Sequence, residues 1–292
     1  MLEKIKSWLL DNLLPLIPDK LYLELKYRMV MHKKLNLKNP KTFNEKLQWL
    51  KLYNRKPEYT IMVDKYAVKE YVASKIGEEY IIPTLGVWDT PDEIEWESLP
   101  NQFVLKTTHG GGNLGVVVVK DKISIDKGLA IRNLSNAMKL DLYKRNREWP
   151  YKNVNKRIIA EKFLEDKETR ELRDYKFFCF NGEVKALFIA TDRQTREEPY
   201  FNFFDADFNS LDFKQGHPRN EVLPAKPKTF EKMKEIATIL SKGIPHVRVD
   251  LYEVNGAIYF GEMTFFHFGG VVRFEPEEWD YKLGEMIKLP IV

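Results

Sequence analysis

Apolar positions early in the chain recur every three or four residues. In PKTFNEKLQWLKLYNRK, Phe43, Leu47, Leu50 and Leu52 fall near helical spacing, and Asn39-Pro40 followed by Thr42 and Glu45 has the pattern of a capping box opening that helix. VDKYAVKEYVASKIG predicts a second helix, closed by Gly77. After it the pattern turns strand-like. YIIPTLGVWDT reads as a short strand ending in a turn, and NQFVLKTTHGGGNLGVVVVKD as strand, glycine turn, strand, with Phe103 to Leu105 and Val116 to Val119 flanking the glycines. Residues 124 to 145 read as helical, and RIIAEKFLED as a strand entering a charged loop. DYKFFCFNGEVKALFIATDR predicts a hairpin turning at Asn181-Gly182, TFEKMKEIATILSKG an amphipathic helix, and HVRVDLYEVNGAIYFGEMT a last hairpin around Asn255-Gly256. The sum is an α+β pattern in which hairpins, not βαβ units, carry the motifs.

Composition narrows the picture only a little. The chain has 292 residues, 43% of them hydrophobic, enough for a sizeable core divided into two or three lobes. A formal net charge of +4 demands no polyanionic partner, and nucleic acid is not implied. The single cysteine, Cys179, excludes an intramolecular disulfide and a cysteine-based zinc site, and fits a reducing compartment. No window approaches the roughly 20 apolar residues of a membrane-spanning helix. In MLEKIKSWLLDNLLPLIPDK, Leu2, Ile5, Leu9, Leu13 and Leu16 recur at helical spacing; Glu3, Asp11 and the absence of a small-residue cleavage site argue against a signal peptide. Two readings remain for it: an interfacial membrane anchor with Trp8 and the lysines at the surface, and a helix packed on its own domain.

The candidate chemistry lies in the hairpins. Arg248 and Asp250 project from one side of the last hairpin's first strand, and Glu262 can lie beside them on the second. Two acids held together call for an opposite charge between them, and a divalent metal is the usual one. Gly110, Gly111, Gly112 and Gly115 sit between two strands, which excludes a Walker A or Rossmann motif but allows backbone N–H groups to converge on a phosphate. Lys106 ends the preceding strand and can hold a phosphate from the side. Lys176 lies within an apolar run and wants an anion, either Asp174 on its own face or, together with Lys106, a triphosphate. The AEKFLED edge between them offers backbone groups for recognising a purine.

In this order, NPKTFNEKLQWLKL, DKYAVKEYV, FVLKTTHGGG, IIAEKFLE, DYKFFCFNGEV and HVRVDLYEVNGAIYFGEMTF resemble the TupA-like ATP-grasp proteins of bacterial polysaccharide gene clusters, from about residue 36 to 276. The resemblance implies an ATP-grasp fold: two α+β lobes clasping ATP, with a helical N-terminal extension. It divides the chain into a helical region at 1–78, a first lobe with the glycine-rich flap at 79–157, and a second lobe with hinge and metal site at 158–292. It implies that Lys106 and Lys176 bind phosphates, that Gly110 to Gly115 form the flap, and that Glu161, Lys162, Phe163 and Leu164 form the adenine hinge. Asp174, or less favourably Glu168, then lies near the ribose, Asp250 and Glu262 bind magnesium, and Arg248 stabilises an acyl phosphate and the following oxyanion. Thr264 departs from the E-x-N of many such ligases, which puts a second magnesium in doubt.

The implied activity is ATP-dependent carboxylate–amine ligation in the cytoplasm, joining an amino acid or other small amine to a uronic acid of a surface polysaccharide or its precursor. Arg273, Arg193 and His267 are the candidate substrate cations. Peripheral membrane contact would fall to the N-terminal helix. Three rivals stand beside this expectation. Asp205-Ala206-Asp207 could serve a glycosyltransferase as a metal-binding D-x-D, although two acids in a polar turn are usually turn residues. A sugar kinase would use the same phosphate-binding set, and a catalytically silent scaffold would need none of it.

Overall fold

A computed structural model describes residues 17–112, 114–168, 172–192 and 198–291. The apolar stripe of residues 2–16, with both readings given to it, and Arg193 lie outside the described residues. No helix among the described residues is long and apolar enough to cross a membrane. The chain forms two compact units. The smaller comprises Lys56–Tyr143 and Pro150–Glu165; the larger takes the residues up to Arg55, Lys144–Trp149 and those from Asp166 onward.

The smaller unit is built on four strands, β1 (Thr84–Trp88), β2 (Phe103–Thr107), β3 (Val116–Val119) and β4 (Ile158–Lys162), in the order β1-β4-β2-β3 with every pairing antiparallel. Alternation sets its core. Phe103 and Leu105 of β2 and Ile158 and Ala160 of β4 pack with Ala130 and Leu134 of the helix Lys127–Met138 and with Trp96 and Leu99. That helix starts where Asp126 accepts the Leu129 N–H at 2.8 Å.

The larger unit holds a six-stranded antiparallel sheet of β5 (Asp174–Phe180), β6 (Glu183–Thr191), β7 (Tyr200–Asp205), β8 (Ser210–Leu211), β10 (Val247–Val254) and β11 (Ala257–Thr264), in the order β11-β10-β5-β6-β7-β8. The short β9 (Lys214–Gln215) pairs with β12 (Phe274–Glu275). Both expected turns form where expected. Asn181 and Gly182, then Asn255 and Gly256, all have positive φ, the backbone that a two-residue hairpin loop of right-handed twist requires. The amphipathic helix Phe230–Ser241 buries Phe230, Met233, Ile236, Ala237 and Leu240, with Phe230 against Phe177 of one sheet face.

The sequence-level divisions at 78 and 158 do not coincide with these units. β4 pairs with β1 and β2, so the expected hinge strand belongs to the smaller unit. The helical region 1–78 also splits. The helix Phe43–Tyr53 opens with the expected capping box, Thr42 Oγ1 accepting the Glu45 N–H at 3.2 Å and Glu45 accepting that of Thr42 at 3.2 Å. Its Phe43 ring then packs on His246, Phe178 and Phe274 of the larger unit, at 4.9, 6.0 and 5.8 Å between centroids. The helices Glu58–Val63 and Ala67–Ile76 lie in the smaller unit. Helical periodicity shows which face is apolar but not which core receives it.

Two predictions follow from this packing. At Gly284, in the helix Glu278–Met286, a Cβ would collide with the Lys41 carbonyl and approach the Phe43 nitrogen to 2.7 Å, both of them backbone atoms that cannot rotate away. Gly284→Ala should therefore lower stability by about 1–3 kcal/mol despite alanine's better helix propensity; a melting temperature at or above that of the unaltered protein would contradict this close approach. His246 is buried among Phe43, Phe178 and Phe180 with Nδ1 at 3.0 Å from the Cys179 carbonyl, and burial pushes its pKa down to about 3. The unfolded chain takes up this proton near pH 6.5 and the folded one does not, so stability is complete above that pH. It should fall by about 2 kcal/mol on going from pH 7 to 5. Denaturant midpoints and the His246 Cε1–H resonance check it: an imidazole titrating near 6.5 would refute the assignment.

Candidate active site

Each unit gathers candidate site residues into a cluster of charged side chains. In the smaller, Val104 of β2 lies opposite Glu161 of β4. Residues two apart share a strand face, so Lys106 and Glu161 project together, away from the face that sends Phe103 and Leu105 into the core. Lys106 Nζ is 2.6 Å from one carboxylate oxygen of Glu161, and Lys69 Nζ, from the helix Ala67–Ile76, is 2.6 Å from the other. Lys69 also donates to the Ile82 carbonyl at 2.7 Å and to Thr84 Oγ1 at 2.8 Å. Burial works to raise the Glu161 carboxyl, but the two ammonium groups outweigh it and hold it below the usual carboxylate range. The sequence reading passed over Lys69. Its signal is faint: a lysine directly beside Val68, whose side chain is buried, on an amphipathic helix. Lys162 is exposed, and Phe163 and Leu164 lie half-buried in the irregular segment after β4.

The loop from β2 to β3 owes two of its glycines to packing. A Cβ on Gly110 would press to 2.7 Å on the Leu114 carbonyl, and one on Gly115, at φ +73°, would meet Thr107 and come within 2.8 Å of Ala137 Cβ. Gly111 has open space on all but one side, with Leu142 at 3.4 Å, and a Cβ on Gly112 would meet nothing within 4 Å. His109 is buried at the base of the loop, its Nε2 3.2 Å from the Ala137 carbonyl, and burial pushes its pKa down to about 4. Thus the loop is anchored at both ends and has room for backbone approach in its middle.

In the larger unit the register gathers Asp174, Lys176, Arg248, Asp250, Glu262 and Thr264 on one face of three neighbouring strands. Asp250 of β10 lies opposite Lys176 of β5 and Glu262 of β11; Arg248 lies opposite Thr264, and Tyr252 opposite Asp174. Asp250 and Glu262 share a face because they are directly paired, and a bulge between Asp250 and Leu251 shifts the β11 register just beyond them. Arg248 binds Asp250 by a two-pronged contact, Nε to Oδ1 and Nη2 to Oδ2, each 2.7 Å. The same Nη2 reaches Glu262 at 3.2 Å and Thr264 Oγ1 at 3.0 Å. Lys176 bridges Asp250 and Asp174, the latter at 2.6 Å. Arg248 therefore supplies the opposite charge expected between the two acids. Burial pushes the Asp250 carboxyl up, Arg248 and Lys176 pull it down, and Asp174 adds to the push. The guanidinium lies between acids and is raised further above its already high range despite burial.

The remaining candidates fall elsewhere. His267 is 1% exposed, with its Nδ1 2.8 Å from Arg248 Nη1, and burial followed by the Arg248 charge holds it well below its usual pKa. A buried, neutral imidazole is no substrate cation, which corrects that expectation. Arg273 is exposed, donates to the Met31 carbonyl at 2.9 Å, and lines a cleft of about 200 Å³ with Tyr27, His32, Lys34 and Tyr281. Glu168 is exposed in the charged loop beyond β4, where its N–H donates to Asp166. In the rival D-x-D, Asp205 accepts from the N–H groups of Asp207 and Asn209 and from the Asn209 amide at 2.8 to 2.9 Å, as a turn residue does.

Among the described residues no group of three or more His, Cys, Asp or Glu is arranged to hold a metal alone. The donors on the β10–β11 face are nevertheless of the kind magnesium takes, and Asp250 would share its oxygens with Arg248 and Lys176. Magnesium takes one or two carboxylates together with substrate phosphates rather than a full protein cage, and Asp250 and Glu262 are two hard oxygen donors at one register position. Of the two, Glu262 is the accessible one, with 28% of its side chain exposed against 1% for Asp250.

Among curated proteins none matches the chain. Solved structures similar to it include a D-alanine–D-alanine ligase from Helicobacter pylori, at 18% identity over 85% of this chain and 69% of that one with a TM-score of 0.44. The corresponding Bacillus anthracis ligase has 17% identity over 70% and 57% with a TM-score of 0.41, and the VanG D-Ala:D-Ser ligase of Enterococcus faecalis 14% over 70% and 52% with a TM-score of 0.40. The chain thus spans about half to two thirds of the length of these structures. The model of one family, TupA-like ATP-grasp, matches residues 45–288, which takes in both charged clusters, the glycine loop and the β10–β11 hairpin. With five-sixths of its length inside that match, the chain belongs to the TupA-like ATP-grasp family.

Proposed function

We propose that the protein is an ATP-dependent carboxylate–amine ligase whose acceptor carboxylate belongs to a uronic acid of a bacterial surface polysaccharide or its precursor, and whose amine is an amino acid or other small amine. Family membership supports the ATP-dependent ligation, and the gathering of Lys176, Arg248, Asp250 and Glu262 on one sheet face carries the reading. In the smaller unit, Lys106 would bind phosphate, the backbone around Gly111 and Gly112 would cover it, and Glu161 to Leu164 would receive the adenine. Lys69 shares Glu161 with Lys106 and keeps that carboxylate charged. In the larger unit, Lys176 would hold the transferring phosphate, with Asp174 near the ribose. Arg273 and its cleft are the remaining candidate for substrate binding; Arg193 stays a candidate on sequence grounds alone.

Two displacements make the amide. A carboxylate oxygen attacks the γ-phosphorus while the bond to the ADP oxygen breaks, giving an acyl phosphate. The amine nitrogen then attacks the acyl carbon, the carbon–oxygen bond to phosphate breaks, and inorganic phosphate leaves as the nitrogen sheds its proton. Neither step needs a covalent nucleophile from the protein. Magnesium, held by Asp250 and Glu262, would neutralise phosphate charge. Lys176 offers its ammonium to oxygens gaining charge. Arg248 has five N–H groups, and those on Nε and Nη2 are taken by Asp250, Glu262 and Thr264; one on Nη1 goes to His267, which leaves the second Nη1 hydrogen for the oxyanion.

Mass spectrometry and ADP assays with Mg-ATP and a panel of hexuronic acids and amino acids test the proposal. ADP should form only with both a carboxylate and an amine, alongside a product one water lighter than their sum. ADP formed without an amine would indicate phosphorylation instead, and UDP released from a nucleotide sugar would indicate glycosyl transfer. Glu262→Gln should lower turnover on the order of a hundredfold with little change in melting temperature, because its side chain is partly exposed. Asp250→Asn should lower both turnover and stability, since Arg248 and Lys176 would keep their charge beside a neutral amide, a loss of about 3–5 kcal/mol for a broken buried pair. Full ADP production by Glu262→Gln would sink the metal assignment. Mg-ATP at a hundred times its dissociation constant should stabilise the unaltered protein by about 2.7 kcal/mol.

A further inference from the structure

Among the described residues, His267 is the one hydrogen-bond partner of Arg248 that carries no charge and does not lie on the charged strands. It follows β11 in a short turn, His267–Gly270, whose next three residues, Phe268, Gly269 and Gly270, all have left-handed backbone at φ 50°, 61° and 64°. For a phenylalanine this conformation is unfavourable and persists only where the surroundings enforce it. Those surroundings come from the helix Phe43–Tyr53. Gln48 Nε2 donates to the carbonyls of Gly269 and Gly270 at 3.0 and 2.8 Å, and the buried Lys51 Nζ donates to that of Gly269 at 2.7 Å. The turn is thus held by three hydrogen bonds from one helix.

The result is an imidazole held among three phenylalanine rings. Phe178, Phe188 and Phe268 surround it at 5.0, 5.4 and 4.2 Å between ring centroids, and Nδ1 sits 2.8 Å from Arg248 Nη1. A guanidinium can only donate, so Nδ1 accepts and the ring proton resides on Nε2. Nε2 is buried and has no hydrogen-bond partner among the described residues. A phenylalanine would suit the aromatic neighbours and leave no orphaned Nε2, so ring packing alone gives no reason for histidine. What histidine adds is one acceptor aimed at Nη1.

We propose that His267 is a positioning residue for Arg248: by accepting one Nη1 hydrogen it fixes the guanidinium plane and presents the other Nη1 hydrogen to the reacting oxygen. The role of Arg248 in this statement rests on the ligase reading above. The placement of His267 does not. Gln48 and Lys51 extend the same arrangement, because they hold the turn that delivers the imidazole.

Two measurements test it. Steady-state ADP release with Mg-ATP and the hexuronic acid and amino acid panel should show His267→Phe lowering kcat on the order of tenfold to a hundredfold, with KM for ATP near that of the unaltered protein and a melting temperature lowered by the loss of one buried acceptor. His267→Asn, whose amide oxygen can take the place of Nδ1, should recover most of kcat. Undiminished kcat in His267→Phe, or equal losses in both variants, would overturn the proposal. Separately, 15N NMR of histidine-labelled protein should show His267 as the neutral Nε2–H tautomer, with the Arg248 Nη signals shifted in His267→Phe. An Nδ1–H tautomer, an imidazolium, or unshifted Arg248 signals would overturn it without reference to turnover. If the unaltered protein releases no ADP with any pair, the ligase reading fails while the NMR result still decides the placement of His267.

Discussion

The arrangement on which the candidate site depends is the buried contact of Arg248 with Asp250, extended by Lys176 on one side and by Glu262 and Thr264 on the other. Removing a carboxylate and a guanidinium from water costs several kcal/mol per ion, and their mutual attraction recovers this only with good geometry and with the remaining donors satisfied. The geometry is good, and all but one Nη1 hydrogen is satisfied. The two-pronged contact uses both Asp250 oxygens, and every nitrogen of the guanidinium has at least one acceptor within 3.2 Å. Apolar residues of the same volume would often be as stable or more so. A buried ionic row on an otherwise apolar sheet is therefore better explained by the charge it presents than by the stability it gives.

Strand geometry makes the row possible. β10 is central to it, bonded to β5 on one edge and to β11 on the other, so side chains from three distant stretches of sequence share one face. Toward one end this face carries Asp174, Lys176, Asp250 and Glu262; toward the other it becomes aromatic, with Phe178 and His246 against Phe43 and His267 against Phe178. Arg248 stands at the boundary. Its charged contacts face the acids while Nη1 meets the aromatic end through His267, and the Phe188 ring lies 5.8 Å from its guanidinium carbon. Low polarity on that side strengthens each hydrogen bond the guanidinium makes.

What was legible in the sequence is what local rules encode. Asn181-Gly182 and Asn255-Gly256 specify hairpin turns by backbone sterics alone, and Thr42 with Glu45 specifies a cap within one turn of helix. The two-residue spacing of Arg248 and Asp250 predicted a shared face for the same reason. Contacts between elements were not legible. Lys69 reaches Glu161 from a helix 92 residues away in sequence, His267 reaches Arg248 through a left-handed turn, and the helix Phe43–Tyr53 joins the aromatic core rather than the helices that follow it. Periodicity carries no information about such partners. Charge clustering was read correctly as needing an opposite charge, but the sequence could not show that Arg248 itself lies between the acids.

Thr264 illustrates how the same position changes meaning once its neighbours are known. Compared with an amide, a hydroxyl there is a poorer ligand for a second metal. In the folded protein its oxygen accepts from Arg248 Nη2 at 3.0 Å and its hydrogen can go to Glu262 Oε1 at 3.3 Å, so one small group serves as acceptor for the cation and donor for the acid. An asparagine could divide these tasks between its oxygen and nitrogen, but it would need more room beside Arg248 and would place a second carbonyl dipole near the acids. Threonine is therefore consistent with a site in which Arg248 already performs part of the charge neutralisation that another metal ion would otherwise supply.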